Sequence, residues 1–303
     1  MTRPAYKEAT TTTSGGYTVP APLAAIIWRS IENKSAVIPF MKKRPMTSLT
    51  ERINSVTEEP VATWVSAEAA AKTPSADTFA QLTLTAEELA VIVPFTDRLR
   101  DNANIDLVSL IRDEAENAIV TALEQSYMGY YAGGPFATDL TTDTPVAHTI
   151  AFGTGADLIV DISDALGAIE EHGFSENIGF VAHPSLKATL RNLRSTTDIP
   201  IYVRGGSACA PECDTLFGYP IRYTRNMQQT GSPAAYELFV ADWKYVIEGT
   251  RQELRMDVTD KATITIAATP VNLWEKNMSA AKFWIYRAFG IRDVNALAKV
   301  TGL

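Results

Sequence analysis

The chain has 303 residues, 46% of them hydrophobic and 20% charged, a balance that supports a buried core and excludes disorder of the whole. Its formal charge of −8 argues against tight, sequence-independent binding of nucleic acid, which needs Lys and Arg to displace counterions from phosphates. Two cysteines exclude a disulfide framework, and no apolar run nears the ~20 residues needed to span a bilayer. The N-terminus also lacks the apolar segment of a signal peptide, so the expected place of synthesis and folding is the cytoplasm.

Residues 1 to 18 are rich in Thr, Ser and Gly and read as an arm, because they hold too few large side chains to offset the entropy of ordering. Pro20 and Pro22 open a short helix from about Leu23 to Asn33. Its Ile26, Ile27, Trp28 and Ile31 are too apolar to stay in water without a partner, which predicts docking on another surface, such as that of a neighbouring subunit. Ser35 to Arg52 reads as strand, with Ala36, Ile38 and Phe40 alternating before the basic cluster Lys42-Lys43-Arg44. That cluster is expected to be a solvated strand edge rather than a DNA site.

Val61 to Ser66 and Phe79 to Val93 alternate as two strands around a tip, Ala67 to Ser75, that holds Pro74 and no core-forming residue. The pattern predicts a long two-stranded arm that needs partners, since an isolated hairpin is marginal in water. A short helical turn at Phe95 to Arg100 leads into the longest periodic stretch, Asn104 to Gly134. Ile105, Val108, Ile111, Ala115, Ile119, Ala122 and Leu123 share one face of a helix about 40 Å long at ~1.5 Å per residue. Asp113, Asn117 and Glu124 are expected on its polar face, with Asn104 as cap and Gly133-Gly134-Pro135 as stop.

Beyond a turn-rich segment from Pro135 to Gly155, Leu158, Ile162, Leu166 and Ile169 mark a second amphipathic helix stopped by Gly173. IGFVAHP reads as a buried strand, with Pro184 opening a third helix. A loop with Arg204, Cys209 and Cys213 follows; a lone C-x-x-x-C pair is a poor zinc signal, so both cysteines are read as loop residues. Further strands pass through Ile221, Phe239 to Val258, Thr263 to Trp274 and Lys282 to the C-terminus. Helices and strands interleave without regular βαβ spacing, so the predicted class is α+β.

Chemistry is thinly supplied. The three histidines, His148, His172 and His183, lie in turn or helix-end text. No nucleophile elbow, P-loop, HExxH or dinucleotide fingerprint occurs, and FGTG at Phe152 to Gly155 lacks the strand and third glycine of a phosphate cradle. Asp161 with Asp164, and Asp257 with Asp260, have no third ligand near in sequence and are read as solvated carboxylates. No catalytic, metal or cofactor site is expected, and an enzyme is the weakest reading.

The motifs GGYTVP (Gly15 to Pro20), TWVSAEAAAKTPSADTFAQLTL (Thr63 to Leu84), VPFTDRLRDNANIDL, VAHPSLKATLRNL (Val181 to Leu193), LFGYPIRYTRNM (Leu216 to Met227), FVADWKYVIEGTRQELRMDV (Phe239 to Val258) and FWIYRAFGIRDVNA (Phe283 to Ala296) stand in one order. In that order the chain resembles the major capsid proteins of tailed bacteriophages with the HK-ninety-seven-type fold, from Gly15 to Gly302.

The resemblance implies an arm and the start of a peripheral domain over 1–44, an extended loop over 45–95, and peripheral domain over 96–148 with a spine helix at 104–132. It implies an axial domain over 149–246, peripheral strands over 247–285 and a C-terminal return over 286–303. The loop-tip residues Ala67, Glu68, Lys72, Pro74 and Ser75, with Ile27, Trp28 and Ile31 of the arm helix, would contact other subunits, and Arg204, Cys209 and Cys213 would lie in an axial-domain loop. Lys72 has no evident asparagine and acid to cross-link with. The apolar stripe of the spine would face a sheet from Trp243 to Trp274, and its polar face the particle interior.

The partners implied are other copies in hexamers and pentamers, a portal protein, packaged double-stranded DNA held weakly, and no membrane. A decoration protein and a separate scaffolding protein belong to the same picture. The arm starting near Met1 leaves open a separate scaffold, a removed N-terminal one, or none. The alternative within the same fold is an encapsulin-like compartment filled with enzyme cargo.

Overall fold

The computed structural model describes residues 21–58, 64, 78–102, 107–153, 158–192, 214–227, 236–266 and 268–302. Helix α1 (Ala21–Lys34) leads through turns to β1 (Lys42–Pro45), the paired strands β2 (Thr50–Glu58) and β3 (Thr78–Thr85), and β4 (Glu87–Thr96). The short α2 (Asp97–Asn102) precedes the long α3 (Leu107–Met128) and α4 (Leu140–Asp143). After a 3-10 turn at Val146–His148 come β5 (Thr149–Ala151), α5 (Leu158–Glu171), β6 (Ile178–Ala182), α6 (Leu186–Asn192), β7 (Asp214–Leu216), β8 (Tyr219–Tyr223) and β9 (Leu238–Asp242). The chain closes with β10 (Val246–Thr259), β11 (Thr263–Ile266), β12 (Thr269–Asn272), β13 (Met278–Ile291), a 3-10 turn at Val294–Ala296 and β14 (Leu297–Thr301).

Two sheets carry the architecture, a mixed α+β one as the sequence predicts. The first has the order β1-β10-β13-β4. Its centre is the antiparallel pair β10 and β13, 14 residues each, and β13 turns Ala281, Phe283 and Ile285 inward at alternate positions. Onto that face packs α3, whose Ile111, Ala115, Ile119 and Leu123 share a core with Leu254, Phe283, Ile285 and Phe289. Each such large side chain removed from water stabilises the subunit by about 1.5–3 kcal/mol. Helix α3 is tied to β10 and β13 through Tyr127, which bonds Glu248 and stacks on Phe289, and it runs beside β4, while Trp274 stays outside this sheet and is 72% exposed.

The second sheet, β5-β14-β9-β6-β8-β7, draws β5 to β9 from between β4 and β10 and β14 from beyond β13. Strands β6 and β9 are buried along their whole length, as central strands covered on both faces must be. Helices α5 and α6 supply Leu158, Ile162, Ile169, Leu186 and Leu190 to its core. The two sheets meet at Trp243, fully buried, which donates its indole N–H to Gly179 O at 2.9 Å and stacks on Phe40 at 5.4 Å.

Three sequence expectations change. The alternating Ala36, Ile38 and Phe40 do not form a strand: Ser35 Oγ accepts from the amides of Val37 and Ile38, both at 3.2 Å, and this local bonding curls the chain into turns. Strand β3 is paired with β2, from Thr50↔Thr85 to Glu58↔Thr78, a strand that the sequence pattern does not pick out, while the expected strand Val61 to Ser66 lies outside the described residues apart from Trp64. Helix α3 stops at Met128 because Gly129 takes φ 83, where a Cβ would also lie 2.3 Å from Asp139 Oδ1. Asn104, the expected cap, lies outside the described residues.

Candidate assembly surfaces and the joints behind them

Of the arm helix, Ile31 is fully buried against its own subunit's core. Half-buried Trp28 covers the Arg287 guanidinium at 3.8 Å and donates its indole N–H to Glu32. Ser30 Oγ and Lys34 Nζ both reach Glu116 Oε2 on α3 at 2.8 Å. Ile31 thus finds its cover within its own chain, because α1 folds back across α3 and β10, while Trp28 stays partly exposed. Ile27 is on the same helix, with its side chain outside the described part.

Glu124 is the larger correction. Although α3's Asp113, Glu114 and Asn117 are exposed, Glu124 is buried at 1% exposure. Its Oε1 accepts from Ser35 Oγ at 2.8 Å and Ala36 N at 2.6 Å, and its Oε2 from Thr224 Oγ1 at 2.5 Å and Asn226 Nδ2 at 2.6 Å. One carboxylate ties the end of α1, the long helix and the segment after β8. Hydrogen bonds to an ionised group are roughly twice as strong as neutral ones, which makes this burial sustainable.

A second joint lies under Trp28. Glu248 and Arg287, at 0% and 1% side-chain exposure, face each other with Nε 3.6 Å from Oε1, and Tyr127 donates to the same Oε1 at 3.1 Å. Arg287 Nε and Nη2 and Glu248 Oε2 find no hydrogen bond among the described residues. Burial pushes the Glu248 carboxyl up from its ordinary value, more than Arg287 and the Tyr127 hydroxyl pull it down. A raised folded value means that Glu248 favours folding most below its unfolded pKa of about 4.5, and that this stability is lost as pH rises through the folded value. Relative to Glu248→Gln, the native chain should therefore lose stability as pH climbs from 4 to 8, as measured by urea unfolding at each pH.

The extended hairpin is seated at its base. Leu84 and Ala86 pack with Met46, Ile247 and Ala288 in a small core of their own. Gly290 permits the approach, since a Cβ there would lie 2.4 Å from Leu84 Cδ2. Beyond the β2–β3 pair, which forms a two-stranded sheet of its own, Trp64 is fully exposed. Ala67, Glu68, Lys72, Pro74 and Ser75 lie outside the described residues, as do Arg204, Cys209 and Cys213.

The basic cluster matches its reading. Strand β1 is exposed throughout at an edge of the first sheet, and Lys43 and Arg44 pair with Glu32 and Glu51, each at 2.5 Å. Asp161 does not match: it is fully buried and accepts from Gly153 N at 2.9 Å, so it holds the turn before α5. Asp164 is exposed.

His183 stacks flat on Tyr236 at 3.7 Å, and its Nδ1 accepts from Ser185 N at 3.2 Å, at the start of α6. Partial burial and then Arg225 hold its pKa below the ordinary 6.5. The stability it contributes is complete above pH 6.5 and lost as pH falls through the folded value. Corrected for the intrinsic pH dependence of exchange, the protection of the Ser185 amide should fall on acidification in the native chain and stay unchanged with pH in His183→Ala. No group of three or more His, Cys, Asp or Glu that could hold a metal occurs among the described residues, and no described helix is long and apolar enough to cross a membrane.

Buried joints that lock a long helix between two sheets, with a hairpin seated only at its base, define a building block rather than a reaction centre. Comparison with known proteins gives that class its identity. The sequence profile of the phage capsid family matches residues 15–302, and the chain belongs to that family. The major capsid protein of Staphylococcus phage 80alpha is 22% identical over 280 residues, spanning 90% of this chain and 82% of that one.

Solved chains from Mycobacterium phage Adephagia (23% identical, TM-score 0.73, 88% of this chain and 89% of that one) and Microbacterium phage Oxtober96 (21%, 0.73, 98% and 95%) share the fold. The protein is a bacteriophage capsid protein of the virion with a structural, non-enzymatic role. These matches favour a phage shell over an encapsulin-like compartment.

Proposed function

We propose that the subunit assembles with copies of itself into hexamers and pentamers that close an icosahedral head around a double-stranded DNA genome, in the host cytoplasm. The observation that carries this is the β2–β3 pair, seated on its own subunit at one end and leading to the fully exposed Trp64 at the other. An indole in water beyond a two-stranded hairpin that is seated only at its base calls for another copy to cover it.

On this reading the first sheet with α3 is the peripheral domain, and the second sheet, with the returning β14, is the axial domain around the symmetry axes. Residues 67–75 reach over a neighbour, and 204–213 lie near the axes. Surfaces that repeat around an axis close into symmetric assemblies. A portal protein, a scaffolding protein and a decoration protein are the partners such a head would take. DNA is held weakly, in keeping with the charge of −8.

Negative-stain microscopy and sedimentation of the purified protein test the proposal. Closed shells of uniform diameter are expected. A stable 33.0 kDa monomer that never forms capsomers would overturn it, and shells from infected cells that hold a cargo enzyme and no genome would return the reading to the compartment.

A further inference from the structure

His148 and His172 stand 24 positions apart in sequence yet face each other in the fold, their ring centres 5.1 Å apart and their planes inclined by 59°. His148 ends the 3-10 turn before β5 and is buried at 4% exposure. His172 follows directly on α5 and is exposed. Each ring has its Nδ1 committed to a backbone carbonyl, that of His148 to Leu297 O at 2.8 Å and that of His172 to Ala168 O at 3.0 Å. A carbonyl oxygen only accepts, so in both neutral rings Nδ1 carries the proton and Nε2 keeps its lone pair. The same arrangement orients histidines that bind metals, where the second nitrogen donates to a carbonyl and fixes the tautomer.

The spacing agrees. With metal–nitrogen bonds of about 2.0–2.1 Å and about 1.1 Å more to the ring centre, two imidazoles on one tetrahedral ion have centres about 5.2 Å apart. The setting also favours a cation, because the pair lies at the C-terminal end of α5, the negative end of the helix dipole.

We propose that His148 and His172 form a two-histidine site for a borderline transition-metal ion, zinc above all, bound through both Nε2 atoms with water completing the coordination. Imidazole pairs suit zinc, nickel and copper and not magnesium or calcium. The bound ion would staple the exposed end of α5 to the turn that leads into β5, the edge strand of the second sheet. The site would thus add to the shell protein a stability that depends on metal supply, by mass action on the folded state.

The test is thermal unfolding of the full chain with and without Zn2+ alone, together with titration by Co2+ as a spectroscopic probe. A melting temperature raised by a few degrees at Zn2+ well above its Kd, absent with Mg2+, is expected. Tetrahedral Co2+ bands without thiolate charge-transfer absorption would assign the ion to imidazoles and not to Cys209 or Cys213.

His172→Ala is the decisive variant. The side chain is exposed and bonded only to its own helix in this contact, so the fold should persist while metal affinity falls at least tenfold. His148→Ala, which removes a buried ring, is read only by its Co2+ spectrum if it folds. An unchanged melting temperature with Zn2+, a thiolate-type Co2+ spectrum, or full affinity in His172→Ala would each overturn the proposal.

Discussion

Glu124→Ala is expected to destabilise the subunit by about 4 kcal/mol, since the truncation strands several buried donors at once. Ala36 N–H, Ser35 Oγ, Thr224 Oγ1 and Asn226 Nδ2 all lose their acceptor, and no water from the surface reaches a carboxylate at 1% exposure without displacing packing. Each unsatisfied buried group costs about 1–3 kcal/mol, and the sum falls short of four such penalties because relaxation is shared. Glu124→Gln keeps the shape but turns an amide N–H2 toward donors, so a smaller loss of about 2 kcal/mol is expected. Glu114→Ala, on the exposed side of the same helix, should stay within about 0.5 kcal/mol. Urea unfolding of the three variants gives the order directly. A loss below about 1 kcal/mol for Glu124→Ala would mean that the joint does not hold α1, α3 and the second sheet together.

Deleting residues 67–75 is expected to have the opposite signature: a subunit that still folds and a shell that does not form. The hairpin's base rests on Leu84, Ala86, Met46, Ile247 and Ala288, all outside the deleted stretch, so the change in subunit stability should be within about 1 kcal/mol. Assembly depends on many modest contacts repeated between copies, and removing one from every subunit multiplies its effect over the shell. Particle yield by sedimentation should drop at least tenfold while circular dichroism of the free subunit is unchanged. Heat-stable, closed particles from the deletion would refute the part given to the loop.

The contrast between these two variants separates what was legible in the sequence from what was not. The alternation of Phe79 to Leu84 was visible and forms β3, whose partner β2 the pattern did not single out; the expected strand at Val61 to Ser66 and the tip lie outside the described residues apart from Trp64. Helix α3 was visible from its apolar spacing, and Ile111, Ala115, Ile119 and Leu123 are indeed its buried stripe. Glu124 was misread because a helical wheel knows only one burying face. The helix is covered on a second side by the turns after α1 and by the segment after β8, and a carboxylate there is buried and fully bonded. Ile31 makes a related point: apolar spacing says that a face needs cover, and only the folded chain shows that Ile31 is covered by its own subunit.

The sequence by itself determined the α+β class, the long helix, the solvated basic edge at Lys42 to Arg44 and, through ordered motifs, the capsid family. These are local or composition-level properties, written in periodicity, turn residues and charge. Only the tertiary structure decided which polar residues are joints and which are surface. Glu124, Glu248, Arg287 and Asp161 look alike with any solvated charge in one dimension, and the pairing of His148 with His172 has no sequence signal. Their roles arise from contacts between segments far apart in the chain, where burial raises the cost of an unpaired charge and packing alone chooses its partner.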